Sequence, residues 1–368
     1  MKIGIDARFA GPGGTGIGKY TEKLILNLAK IDRNNQYVLF LNKNNWDFFK
    51  IDQKNFKKSL ADVTWYSLKE QLLLSTLFNK EKVDLLHIPH FNVPLLYRGN
   101  FIVTIHDLIH HHFKEQAVSS KNPILFNIKR LGYKFVINHA IRNSLKIITP
   151  SNFVKKELIY YFKLNSAKVT VTHEAAEEEY FSTEATGKNK IRNSILFVGN
   201  IYPHKNISNL LEAMSILKNR KKAAKLIIVC PRNIFFQRLL SEINKKDLEG
   251  TVEIINYLPT RELVPLFNKI TAYVFPSYSE GFGIPGLNAM AAKIPVLASD
   301  IPVLKEIYGH AAIYFDPNSA IEIAEKIDKI LNDAKTRKEM VEKGNQQVNK
   351  YSWGQMAEET LKVYESSK

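Results

Sequence analysis

The sequence predicts an α/β protein built from two doubly wound, parallel-sheet domains facing each other. Three observations carry that reading. The chain has 368 residues, which suits two domains of ordinary size. Short runs of Ile, Leu, Val and Phe alternate with helical stretches, and several runs are continuous, as in parallel strands covered on both faces. A polar interval poor in strand formers, Glu174 to Asn193, divides the alternation into two series. The expected division is a first domain over 1–175, a linker over 176–192, a second domain over 193–350 and a final helix within 351–368.

Taken in order, the first series places strands at Ile3–Asp6, Tyr37–Leu41, Asp84–Ile88, Phe101–Ile105, Lys146–Thr149 and Val169–Thr172. Helices are expected at Gly18–Lys30 and at Asn152–Phe162, the latter opened by Pro150-Ser151. The second series places strands at Ile195–Val198, Lys225–Cys230, Val252–Asn256, Ala272–Phe275, Pro295–Ala298 and Ala312–Phe315. Its helices are expected at Ile207–Lys218, Ile234–Lys245, Pro285–Ala292 and Ser319–Asn332, with a last helix at Trp353–Tyr364.

Composition excludes several classes. Hydrophobic residues at 45% and charged residues at 24% exclude a disordered chain. The one cysteine, Cys230, forbids an internal disulfide, points to a cytoplasmic setting and reads as a small buried hydrophobe. No apolar stretch is long enough to span a bilayer, and the first residues read as a strand rather than a secretory signal. Fifty-two basic against 36 acidic residues give a formal charge of +16, which calls for an anionic partner. Much of the surplus falls in Ser120–Lys156, which contains no Asp or Glu. Its apolar residues make it either a membrane-surface helix or a half-buried helix with a basic edge. A second basic group, Lys218 to Lys225, reads as a solvated helix end. Nucleic-acid binding has no motif behind it.

Four motifs sit where strands pass into helices, the place where open α/β sheets collect ligands. Gly11-Pro12-Gly13-Gly14-Thr15-Gly16-Ile17-Gly18 allows close backbone approach to a phosphate, although it lacks the Walker pattern. Thr104-Ile105-His106-Asp107 puts His106 at a strand end. The neighbouring His110, His111 and His112 lack metal-ligand spacing. Gly199-Asn200-Ile201-Tyr202-Pro203-His204-Lys205-Asn206 offers a lysine at a helix start, suited to a diphosphate. In Ser279-Glu280-Gly281-Phe282-Gly283-Ile284-Pro285, an acid precedes a glycine turn, and the amides of Gly283 and Ile284 open a helix that carries Asn288 one turn in.

With these motifs in this order, the chain resembles the retaining glycosyltransferases of family 4, and mannosyltransferase-type members in particular. The resemblance covers nearly the whole chain. It implies the GT-B fold: two Rossmann-like domains across a cleft, with the last helix crossing back to the first. It implies a nucleotide-diphosphate sugar as donor, GDP-mannose first and a UDP-sugar second, and neither cofactor nor metal; no Asp-x-Asp occurs in the chain. By the same resemblance His106 and Glu280 are catalytic. Gly14, Gly16, Asn200, Lys205, Gly281, Phe282, Gly283 and Ile284 bind the donor diphosphate, and Asn288 faces the donor ribose. Phe91, Asn92, Asp107 and Arg130 line the acceptor side. The second Glu of the family's Glu-x7-Glu signature is Asn288 here, and an Arg found in many members is Asn200; both changes weaken the expected hold on the donor.

The implied reaction moves a hexose, mannose first, to a hydroxyl of a lipid-linked or glycan acceptor, with retention and with domain closure. The implied setting is the cytoplasm, with peripheral contact at an anionic inner membrane face. Two alternatives stay open. One is a GT-B sugar-nucleotide epimerase. The other is a nucleotide-sugar-binding protein of low activity, for which Asn288→Glu should raise affinity.

Overall fold

A computed structural model describes residues 1–11, 16–112, 123–181 and 190–367, and within 123–129 it describes the helix but not the side chains. The chain divides into two compact units. Unit 1 comprises Met1–Leu108, Ser120–Glu174 and Ser352–Lys368; unit 2 comprises Ile109–Ser119 and Ala175–Tyr351.

Unit 1 contains β1 (Lys2–Asp6), α1 (Gly16–Ile31), β2 (Gln36–Leu41), β3 (Phe56–Leu60), α2 (Leu68–Lys80), β4 (Leu85–Ile88) and β5 (Phe101–Thr104). A single turn, α3 (Ile109–His112), groups with unit 2. Unit 1 continues through α4 (Pro123–Asn143), β6 (Ile147–Thr149), α5 (Asn152–Phe162) and β7 (Val169–Val171). Its seven strands are parallel, in the order β3-β2-β1-β4-β5-β6-β7. The winding reverses between β1 and β4, which leaves a crevice beyond their carboxyl ends.

Unit 2 contains β8 (Ser194–Val198), α6 (Ile207–Asn219), β9 (Lys225–Val229), α7 (Phe236–Lys245), β10 (Val252–Ile255), α8 (Thr260–Phe267) and β11 (Ala272–Phe275). It ends with α9 (Ile284–Ala291), β12 (Val296–Ser299), α10 (Pro302–Tyr308), β13 (Ala312–Phe315), α11 (Ala320–Asn332) and α12 (Ala334–Val348). Its six strands are also parallel, ordered β10-β9-β8-β11-β12-β13. The reversal here lies between β8 and β11. Burial explains the continuous apolar runs: β4, β5, β11 and β12 are buried at every position.

The last helix, α13 (Trp353–Glu365), follows unit 2 in sequence but completes unit 1. Ser352 caps it, its hydroxyl accepting from the Gln355 N–H at 3.0 Å. It buries Trp353, Met356, Val363 and Tyr364, each worth about 1.5–3 kcal/mol. A buried chain of hydrogen bonds ties it down: Tyr364 hydroxyl to His87 Nδ1 (2.8 Å), His87 Nε2 to Thr104 Oγ1 (2.8 Å), and Thr104 to Tyr20 (3.1 Å). Burial, with a smaller contribution from His106, pushes the His87 pKa down to about 3, so its ring is neutral.

Several sequence expectations need correction. Strand β3, Phe-Lys-Lys-Ser-Leu, was not expected; it is a lysine-bearing edge strand with no fully buried residue. Helices α2, α8, α10 and α12 were likewise unexpected. Polarity hides α12, and Pro265 lies inside α8. The interval read as a linker is, in its described part, packed: Tyr180 is buried edge-on to Phe267 at 5.1 Å, and Glu177 is buried as well. The basic group at Lys218–Lys225 is, as expected, a largely exposed helix end, and three of its members have surface partners: Lys218 pairs with Asp247 (2.6 Å), Lys222 with Asp328 (3.1 Å) and Lys225 with Glu253 (2.6 Å). Cys230 is buried, and burial raises its thiol pKa to about 11, away from thiolate chemistry.

Candidate active site

Unit 2 assembles its site at the reversal of its sheet. The loop after β8 leaves Asn200 exposed, turns through Pro203–Lys205 and is pinned by Asn206. The Asn206 amide donates to the carbonyls of Pro276 (3.0 Å) and Pro317 (2.7 Å), so two loops hold one register. That brings Lys205 Nζ to 2.6 Å from Glu280 Oε1, with the two side chains 18% and 10% exposed. The ammonium also lies 5.5 Å from the centre of the Phe275 ring. Burial, followed by the Lys205 charge, lowers the neighbouring His204 to about 3. The local cation is therefore the lysine.

Helix α9 begins next to this pair. Gly283 adopts φ 104°, a left-handed conformation suited to glycine. A side chain there would come within 2.5 Å of the Tyr308 hydroxyl, which itself donates to the Gly283 carbonyl at 2.5 Å. Gly286 is crowded by the same tyrosine ring. Gly281 and Gly283 are buried and Ile284 is half-buried at the helix start, where backbone amides favour anions. The Phe282 ring is buried and packs edge-on to Tyr351 at 5.6 Å, which leaves its backbone as the part of the residue that lies in the turn.

Asn288 is buried on α9, and the sequence did not foresee its partner. Its Oδ1 accepts from the Glu177 N–H at 2.9 Å, and its Nδ2 donates to Glu177 Oε1 at 3.1 Å. The Thr260 hydroxyl donates to Glu177 Oε2 at 3.3 Å. An amide satisfies both the donor and the acceptor of Glu177, which a carboxylate cannot do. The carboxylate that residue 288 lacks thus stands beside it, on Glu177.

In unit 1, His106 lies just past β5. Its Nδ1 is 3.0 Å from Glu174 Oε1, its Nε2 is 3.1 Å from the Pro89 carbonyl, and its ring is edge-on to Tyr20 at 4.8 Å. Glu174 is a positioning residue that the sequence reading placed at the edge of a linker. Asn92 is buried, its amide donating to Glu70 Oε2 at 2.7 Å. Phe91 is half-buried and edge-on to Tyr133 at 5.1 Å. Asp107 and Arg130 are half-buried. Gly16 opens α1 in this unit with open space beside it; Gly14 lies outside the described residues.

The sequence also missed a buried charge cluster beyond β1. The Arg8 Nε and Nη2 donate to Asp6 Oδ1 and Oδ2, both at 2.8 Å, and Nη2 donates to Glu70 Oε1 at 2.8 Å. Burial works against the Arg8 charge, but the two carboxylates outweigh it and its pKa is raised. Among the described residues, no group of three or more His, Cys, Asp and Glu is placed to hold a metal ion.

Comparison with known proteins fits this geometry. Residues 15–179 match the family described as Glycosyltransferase Family 4, and residues 179–347 match Glycosyl transferases group 1. The chain belongs to glycosyltransferase family 4. It is 27% identical over 323 residues to the O-antigen chain mannosyltransferase RfbU of Salmonella typhimurium, covering 84% of this chain and 85% of that one. It is 25% identical over 237 residues to the O-antigen chain mannosyltransferase B of Escherichia coli, covering 62% of each. The solved structure of WaaG, a glycosyltransferase involved in lipopolysaccharide biosynthesis, superposes with a TM-score of 0.76 at 13% identity, covering 99% of both chains. The fold is therefore GT-B, and the chain is a glycosyltransferase.

Proposed function

We propose that this glycosyltransferase moves a mannosyl residue from GDP-mannose to a hydroxyl of a lipid-linked or glycan acceptor, with retention of anomeric configuration. The observation that carries the reading is the Lys205–Glu280 pair beside the start of α9. The mannosyltransferase relatives support the choice of sugar. A UDP-sugar is the second donor choice.

In this reading unit 2 holds the donor. Lys205 exchanges Glu280 for the diphosphate, and the α9 amides share the charge that grows as the leaving group departs. Glu280, released, accepts from sugar hydroxyls. Asn288 and Glu177 face the ribose. The acceptor oxygen bonds the anomeric carbon as the bond to the β-phosphate oxygen breaks. The bonding pair leaves with the phosphate, which takes the acceptor proton. His106, held by Glu174, steadies positive charge at the sugar through its ring or the adjoining backbone. No metal step is required.

Acceptor binding belongs to unit 1, through Phe91, Asn92, Asp107 and the Arg130 region. Helix α4 exposes Leu131 (57%) and Phe135 (63%) beside exposed Lys134, while Ile137, Ala140 and Ile141 are buried. That face supports peripheral contact with an anionic bilayer. No helix among the described residues is long and apolar enough to cross a membrane.

The test is a thermal-shift series with GDP-, UDP- and ADP-sugars, followed by product analysis. GDP-mannose should raise the melting temperature, and transfer should persist in EDTA and yield an axial, α-configured mannoside. Stabilisation by no sugar nucleotide would remove the donor assignment. An inverted anomer would remove retention. Equal flotation with neutral and anionic vesicles would remove the membrane contact.

A further inference from the structure

A buried tyrosine braces the first turn of α9 from behind. Tyr308, the last residue of α10, has no exposed surface, and its hydroxyl donates to the Gly283 carbonyl at 2.5 Å. Gly286 has no left-handed φ, so glycine stands there for room: any side chain would collide with the Tyr308 ring and hydroxyl. The chain on either side of Tyr308 is tied down as well. Gln347 Nε2 and the Tyr351 hydroxyl donate to the Ile307 carbonyl at 2.7 and 3.1 Å, and the Tyr314 hydroxyl donates to the Gly309 carbonyl at 2.7 Å. Burial, followed by the charges of Tyr273 and Glu280, raises the Tyr308 pKa well above its ordinary value. The hydroxyl therefore keeps its proton and stays a donor.

The brace decides which way an amide faces. An α-helix leaves its first N–H groups without internal partners. In α9, Pro285 has no N–H, and that of Gly286 donates to the Gly283 carbonyl at 3.2 Å. The N–H groups of Gly283 and Ile284 remain, and among the described residues neither has a partner. Backbone donors left unpaired in packed surroundings are uncommon. The Gly283 carbonyl and the Ile284 N–H belong to one planar trans peptide, in which the two groups face opposite ways. With the carbonyl bound to a fully buried phenol, the N–H is turned away from the packed interior. Without that bond, a glycine on one side would leave the peptide free to rotate.

We propose that Tyr308 is a positioning residue for the leaving group: its hydroxyl locks the Gly283–Ile284 peptide so that the Ile284 N–H receives the terminal phosphate of a nucleoside diphosphate. This rests on the transferase reading and adds to it the group that aims the amide. A donor fixed before the reaction stabilises growing charge without having to reorganise. Tyr308 touches no substrate atom and acts only through the peptide it holds. The fit between Tyr308 and Gly286 makes the two residues one device, since the phenol reaches the Gly283 carbonyl only where residue 286 has no side chain.

The test uses the full chain and compares nucleoside diphosphate with monophosphate, GDP against GMP and UDP against UMP, by calorimetry. Tyr308→Phe keeps the ring and removes the hydroxyl. It should weaken the diphosphate about tenfold and leave the monophosphate within about twofold, because the terminal phosphate alone meets the Ile284 amide. In protein labelled with 15N-isoleucine, the Ile284 amide, assigned with Ile284→Val, should move downfield on addition of the diphosphate and stay in place with the monophosphate. In Tyr308→Phe that response should be lost. The proposal is overturned if Tyr308→Phe keeps the wild-type preference for diphosphate, if it loses both nucleotides equally, as a merely structural residue would, or if the Ile284 amide of wild type ignores the diphosphate. Wild type that binds neither GDP nor UDP would overturn the donor reading along with it, whereas any of the other outcomes strikes the role of Tyr308 alone.

Discussion

The two sheets wind alike, yet their points of reversal are equipped differently. Beyond β8 and β11 stands one ion pair, Lys205–Glu280, partly open to solvent. Beyond β1 and β4, Arg8 is enclosed between Asp6 and Glu70 with no exposed side-chain surface. A partly exposed pair can trade partners with an anionic ligand at small cost. A sealed cluster cannot; its desolvation is costly and its return is a fixed geometry. One fold position therefore holds an exchangeable charge pair in unit 2 and a fixed one in unit 1.

That contrast makes the largest prediction one of stability. Arg8→Met leaves two buried carboxylates unpaired and should cost about 3–5 kcal/mol in urea denaturation. A loss comparable to that of a surface residue would erase the distinction. Lys205→Met should act the other way, lowering turnover by about a hundred- to a thousand-fold and stability by about 1 kcal/mol or less. If stability fell as far as with Arg8→Met, the pair in unit 2 would be a structural brace too.

Asn288→Glu sharpens the unit 2 side. It sets a second carboxylate against Glu177 and should lower stability or donor affinity by about 1–3 kcal/mol. Adding Glu177→Gln should restore most of the loss. This runs opposite to the gain that a low-activity binding protein would show. Tighter donor binding by Asn288→Glu alone would overturn the pairing.

A further effect is one of pH. The folded pKa of His87 is depressed to about 3 from an ordinary 6.5, so the unfolded chain binds the proton more readily between those values. Stability is then full above the upper value and falls as pH drops through the window, by up to about 1.4 kcal/mol per unit. His87→Gln should flatten that slope in acid unfolding curves, and an unchanged slope would assign it to other groups.

The architecture was legible because several buried parallel strands read as unbroken apolar runs, and each of the twelve expected strands corresponds to a strand in the structure. The strand that escaped, β3, is an edge whose two lysines carry no strand signal. At the site, Lys205, Glu280 and His106 could be named because each falls in a strand-to-helix turn, and Asn288 because it lies one turn into the helix that follows such a turn. Their partners could not. Glu174 reaches His106 across 68 positions, and Glu177 reaches Asn288 across 111. Both glutamates lie in a polar stretch whose composition resembles a linker. Glu70 was equally hidden, 62 positions from Arg8. Pairing over such separations is a product of topology, not of local pattern.

The bond between His87 and Tyr364 spans 277 positions. On a ribosome adding about 5–20 residues per second, roughly 15–55 seconds separate the synthesis of its two ends. Throughout that interval unit 2 can be made and folded in full, while the older unit waits with His87 and its neighbours uncovered. Chaperone demand should accordingly centre on the first half of the chain. A premature stop just before α13 would release a finished unit 2 joined to an unfinished unit 1.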